Sequence, residues 1–134
     1  ALFPDGVLCM ESALDYYGYT DKTPSAWHLA VDSKSGRTRF RMSYPIVKAH
    51  FLRTNRYLLG IEEVEIDGTI MRIYDRERTI CDLLFHRNKL DAEIFNTAIH
   101  RYIAEQKKHE ARLMKYAKLL RVEKKIKEVL GIWL

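Results

Sequence analysis

Residues 60–82, G-I-E-E-V-E-I-D-G-T-I-M-R-I-Y-D-R-E-R-T-I-C-D, fit a strand, a turn, a second strand and the opening of a helix into 23 residues. Almost nothing is left over for a loop, so whatever the chain folds into is built around a hairpin that runs directly into a helix. Asp67-Gly68 separates two β-rich runs, and this dipeptide supplies the positive φ that both central positions of a type I′ turn require. Residues 61–66 are therefore expected to pair with residues 69–74. Val64 and Ile66 alternate with Glu63 and Glu65, and Met71 and Ile73 flank Arg72, which gives the hairpin one apolar and one charged face. Asp75 then stands where a helix N-cap belongs, its carboxylate able to accept from the first free backbone N–H groups.

The apolar hairpin face needs a cover, and the residues that follow can supply one. Helices are expected over 75–87 with Ile80, Leu83 and Leu84 inward, over 91–105 with Ile94, Phe95, Ala98, Ile99 and Tyr102 inward, and over about 110–120 and 122–130. Ahead of the hairpin, residues 7–17 read as a short amphipathic helix that buries Leu8, Ala13, Leu14 and Tyr17 and ends at Gly18. Residues 27–31 and 46–52 read as strands, with residues 53–59 a connector containing one helical turn. The basic run R-T-R-F-R at 37–41 reads as an edge strand or an exposed arm. The apolar C-terminus, ending Ile132-Trp133-Leu134, is expected to dock on the core. The fold class is thus α/β of the α+β kind: a small mixed sheet with a central hairpin, packed by an N-terminal helix and about four C-terminal helices. The 134 residues make one domain. They open on Ala1-Leu2-Phe3-Pro4, which reads as an entry cut from something longer.

Charge is distributed unevenly. Residues 1–74 hold nine Lys/Arg against nine Asp/Glu, whereas residues 75–134 hold fourteen against nine, so the whole excess of +5 lies in the helical half. Arg112, Lys115, Lys118, Arg121, Lys124 and Lys125 are the candidate phosphate contacts, set against the plainer reading of a solvated helix face. Nothing resembles a recognition helix after a tight turn, so this charge would hold a nucleic-acid backbone without reading bases. No apolar run reaches the roughly 18 residues of a membrane span, and no basic-then-apolar leader opens the chain, so a cytoplasmic location is expected.

Enzyme signatures are sparse. His28, His50, His86, His100 and His109 include no HxH or HxxxH pair, and each reads as a surface or half-buried histidine. No P-loop, GxGxxG or GxSxG is present. Cys81, between Ile80 and Leu83, reads as a core thiol, and Cys9 lies near a helix start. No catalytic residue, metal ligand or cofactor site is assigned.

The run R-I-Y-D-R-E-R-T-I-C-D-L-L, followed by R-N-K-L-D at 87–91, resembles the C-terminal domain of AbiEi-type antitoxins. Two more segments agree in order and spacing: G-V-L-C-M-E-S-A-L-D-Y-Y-G-Y-T near the start and L-M-K-Y-A-K-L-L-R-V-E-K near the end. The resemblance implies a component of a bacterial type IV toxin–antitoxin system that acts in phage abortive infection and represses its own operon. Operator DNA would be read by an upstream winged helix-turn-helix. A nucleotidyltransferase-like toxin would be countered in its effect, with no direct contact implied. It also implies that Arg72, Asp75, Arg78, Thr79 and Asp82 form a surface used in antitoxicity, against the local reading of a capped helix with i, i+4 pairs. A restriction-endonuclease-like fold without its active site is a further implication. Two alternatives stay open: a metal-dependent nuclease using Glu63, Glu65 and Asp67, although the expected Lys is missing beside them, and a dimerisation or protein-interaction module sealed by the C-terminal tail.

Overall fold

The computed structural model describes residues 5–34 and 46–131, so the expectations placed on the 37–41 run, on the first four residues and on the Ile132-Trp133-Leu134 tail lie outside the described residues. In chain order the elements are β1 (Val7–Leu8), α1 (Met10–Tyr17), β2 (Trp27–Asp32), β3 (Val47–Leu52), α2 (Thr54–Tyr57), β4 (Ile61–Ile66), β5 (Thr69–Tyr74), α3 (Arg76–Phe85), a 3-10 turn (Arg87–Lys89), α4 (Ala92–Ile103), α5 (Glu110–Leu119) and α6 (Glu123–Leu130). The five strands form one mixed sheet in the order β3-β2-β1-β5-β4. β4 and β5 pair antiparallel with Ile61 opposite Tyr74 and Ile66 opposite Thr69. Asp67 and Gly68 have φ of 50° and 79°, the left-handed pair that a type I′ turn demands.

The start of the chain corrects one expectation. Val7 and Leu8 do not begin a helix; they form a two-residue strand at the centre of the sheet, parallel to β5 and antiparallel to β2. The helix starts at Met10, and it ends at Gly18, whose φ of 75° lets the Tyr19 N–H reach the Leu14 carbonyl at 2.9 Å. A fully buried Val-Leu pair between two partners suits a central strand better than a half-exposed helix turn.

The cover of the hairpin is the second correction. The pleat places Val64, Ile66, Met71 and Ile73 on the face that packs with Leu8, Leu29 and Ala13 of α1. The C-terminal helices lie on the opposite face, where Val7, Ala30 and Tyr74 join the larger core of Ile80, Leu83, Leu84, Phe95, Ala98, Tyr102, Leu113, Ala117, Leu120, Ile126 and Leu130. These inward positions recur every three or four residues along α3 to α6, and each fully buried Leu or Ile adds roughly 1.5–3 kcal/mol. α1 therefore bridges the two clusters: Ala13 and Tyr17 reach the hairpin face, while Met10 and Leu14 join the larger core beside α3. Among the described residues no helix is long and apolar enough to cross a membrane.

Candidate nucleic-acid interface

The junction of hairpin and α3 organises the molecule. The Asp75 N–H donates to the Gly60 carbonyl at 2.8 Å, which ties the start of β4 to the end of β5. The Asp75 carboxylate caps α3 by accepting from the Arg78 N–H at 2.8 Å and also accepts from the Tyr116 hydroxyl of α5 at 2.7 Å. Burial outweighs these two bonds and lifts the Asp75 carboxyl above its ordinary range.

Arg78 is only 1% exposed. Its Nε donates to Asp82 at 2.9 Å, and one terminal nitrogen donates to the carbonyls of Arg56 and, at 2.8 Å, Leu59. Its guanidinium also lies over the Tyr74 ring, 4.1 Å from the centroid. The carbonyls it takes up lie in and just beyond the last turn of α2, where backbone acceptors have no partner within the helix. Burial raises the Asp82 carboxyl, with the Arg78 charge opposing; burial pulls Arg78 down, but the Asp82 charge and Tyr74 outweigh it and leave the guanidinium firmly protonated. Glu77 completes the network by accepting from the Tyr102 hydroxyl of α4 at 2.9 Å and the His109 N–H at 3.1 Å.

Arg72, Asp75, Arg78, Thr79 and Asp82, expected from the resemblance to form an antitoxicity surface, lie largely within the fold. The last four are buried, Thr79 completely, because α3 leaves the sheet straight into the interface with α4 and α5. Only Arg78–Asp82 forms the expected i, i+4 side-chain pair. Thr79 donates to the Tyr74 carbonyl at 3.4 Å while Asp75 serves as the cap. Arg72 is half-buried, with its guanidinium 5.6 Å from the centre of the Tyr57 ring. The cluster is an internal tie between α2, α3, α4 and α5.

The six basic candidates are all exposed, and the fold separates them. Arg112 faces inward to the network, 3.9 Å from Asp75 and 3.8 Å from Glu77, and Lys118 lies 3.9 Å from Glu123. Lys125 donates to the Leu84 carbonyl at 3.3 Å, placing a cation at the negative end of α3. Lys115 and Lys124 have no ion pair among the described residues.

Arg121 sits in the α5–α6 turn with φ of 61°, a conformation that lets the Val122 N–H reach the Ala117 carbonyl at 2.9 Å. Its charge is felt by Arg56 of α2, whose proton affinity is lowered by burial first and then by Arg78 and Arg121. Arg56 in turn lies 4.7 Å from the centre of the exposed Phe85 ring, and together with Lys89 it holds down His86, which burial lowers most. A basic rim thus forms around the C-terminal end of α3 from Arg56, Lys89, Arg121 and Lys125, with His86 held neutral among them. Sequence reasoning found only Arg121 and Lys125 of these. Arg56 lay in a connector with no charge run, and only the α2–α3 packing brings it there.

The histidines hold one correction. His28 is buried, and its Nδ1 lies 3.2 Å from Nε2 of half-buried His50 across the parallel β2–β3 pair. Both thiols are buried, and burial pushes Cys9 and Cys81 well above the ordinary thiol range. Glu63, Glu65 and Asp67 are exposed along the hairpin, with Glu63 opposite Arg72 and Glu65 opposite Ile70. Among the described residues no three His, Cys, Asp or Glu side chains converge as a metal site. No protein-family model matches the chain, and no curated protein matches it.

Proposed function

We propose that this chain is the C-terminal part of an AbiEi-like antitoxin, acting in a bacterial type IV toxin–antitoxin system as a support for operator binding and as the part that opposes the toxin's effect. The observation that carries the reading is the basic rim at the end of α3, drawn from α2, the turn after α3, and α5–α6; Lys115 on α5 and Lys124 on α6 carry further charge that no acid among the described residues pairs. Such a rim on a rigid helical layer suits phosphate contacts made without base reading, the task left to this half if an upstream domain reads the operator. The sequence motif supports the family reading separately. Since the motif's own polar residues are buried, antitoxicity would reside in exposed residues around it.

The test is fluorescence anisotropy of labelled duplex DNA with this chain across a salt series. Binding is expected to weaken steeply with salt, and Arg121→Glu with Lys125→Glu is expected to lower the slope of log affinity against log salt by about one for each phosphate that the protein then leaves unneutralised. Salt-independent binding, or a slope untouched by the double reversal, refutes the interface. Coexpression with the toxin encoded beside the antitoxin gene tests the second half: rescue of growth by this chain supports it, and failure of the full-length protein to rescue overturns it.

A further inference from the structure

On the sheet face opposite α3, a cavity of about 410 Å³ opens between α1, the segment leading into β2 and the end of β4. Leu8 and Ile66 are part of its apolar lining, and Tyr16, Trp27 and Ile46 line it further. Those last three are large side chains left well exposed, Trp27 at 44%, and they gather at one concavity. Apolar residues left in the open around one concavity are a binding-site signature rather than scattered surface. The volume falls in the range of small-molecule sites.

The electrostatics select the occupant. Asp15 is the one charged residue in the lining among the described residues, and it is exposed with no cationic partner among them. The chain carries an excess of cations, yet none of the described ones lines this cavity. A carboxylate beside an indole and a phenol is the chemistry that holds an organic cation, through ion pairing at one side and the negative faces of the rings at the other. We propose that this cavity is a binding site for a small apolar cation, an aryl- or alkylammonium compound, with Trp27 and Tyr16 taking the apolar body and Asp15 the charge.

Three probes of one shape test this: 2-phenylethylamine, 2-phenylethanol and 3-phenylpropionate, which are cationic, neutral and anionic at pH 7. Titration into the full chain carrying Trp133→Phe leaves Trp27 as the sole indole and locates the site by its fluorescence, while calorimetry gives the affinity. The expected result is saturable binding of the amine with a shift in Trp27 emission, about tenfold tighter than the alcohol, and weakest binding for the acid. Asp15→Asn, an exposed change that leaves the core untouched, is expected to bring the amine to within about twofold of the alcohol, and Trp27→Ala to abolish both. Equal affinity for all three probes overturns the proposal, as does a preference for the amine that survives Asp15→Asn. Trp27 emission that responds to protein concentration and not to any probe also overturns it, because the face is then covered by a second copy of the chain.

Discussion

Arg78 is the residue whose removal tests the account of α3 most sharply. Replacing it by Met keeps an unbranched side chain but removes the guanidinium that lies over Tyr74 and, at once, its bonds to the Asp82 carboxylate and to the Arg56 and Leu59 carbonyls. Breaking a buried ion pair from one side costs about 3–5 kcal/mol, because the remaining charge stays in a poor solvent. A value near 4 kcal/mol is expected for Arg78→Met. Asp82→Asn costs less, about 1–2 kcal/mol, since the guanidinium keeps both carbonyls and an amide oxygen replaces the carboxylate. In the double variant no charge is stranded, so the two losses fall short of adding by about 2 kcal/mol. Arg78→Lys retains the charge but not a planar fork able to serve three acceptors, and about 2 kcal/mol is expected. Urea unfolding followed by far-ultraviolet circular dichroism supplies all four free energies, with a constant slope confirming that the same surface is exposed each time. Arg78→Met within 1 kcal/mol of the parent, or a cycle additive to within about 0.5 kcal/mol, would refute the idea that this network is a mutually dependent tie.

Gly60 gives an independent probe of the same junction: a Cβ there would stand 2.8 Å from the Arg78 Cβ and 3.2 Å from the Tyr116 ring, at a φ of 82°, so Gly60→Ala is expected to lower stability in the same urea assay by about 2–3 kcal/mol. Burial, then the charges of His28, Lys48 and His86, push His50 down to about 4, so it stays neutral in the fold while an unfolded chain takes up a proton below about pH 6.5. Stability from this group is complete above pH 6.5 and is lost as pH falls towards 4, by about 1–2 kcal/mol after allowance for its partial exposure; the difference in unfolding free energy between the parent and His50→Gln should shrink over that interval, and a constant difference would exclude the effect.

Local rules made the hairpin and the helical layer legible. Asp67-Gly68 sets the turn, the alternation of Val64 and Ile66 with Glu63 and Glu65 sets the strand, and Asp75 caps the helix that follows; each acts within a few residues, so each was readable. Val7-Leu8 was misread because a two-residue strand has no period of its own, and its place in the sheet depends on partners more than 20 and more than 60 residues away. Which face of the sheet takes which helices was misread for a related reason. An apolar stripe says that a face is covered but not by what, and the short α1, rather than the longer helices, fills that role. The His28–His50 pair likewise exists only once β2 and β3 lie side by side.

The placement of the motif residues changes what the motif can mean. A run such as R-I-Y-D-R-E-R-T-I-C-D draws attention because it is rich in charge, and charge in sequence suggests a working surface. Here four of the six charged residues of that run turn inward: Asp75 to Tyr116, Glu77 to Tyr102, and Arg78 to Asp82 and the end of α2. Four helices are held at fixed angles by these bonds, and losing any one donor leaves a buried acceptor without compensation. The charge of these residues is therefore accounted for by architecture. Surfaces free to act lie elsewhere, on the rim that Arg56 and Arg121 share and in the cavity beside Trp27, and they are composed of residues that stand far apart in the chain. Substitutions that separate function from folding should consequently be made at Arg121, Lys125 and Asp15, where side chains are exposed, and not within the motif, where any loss of activity would be inseparable from loss of the fold.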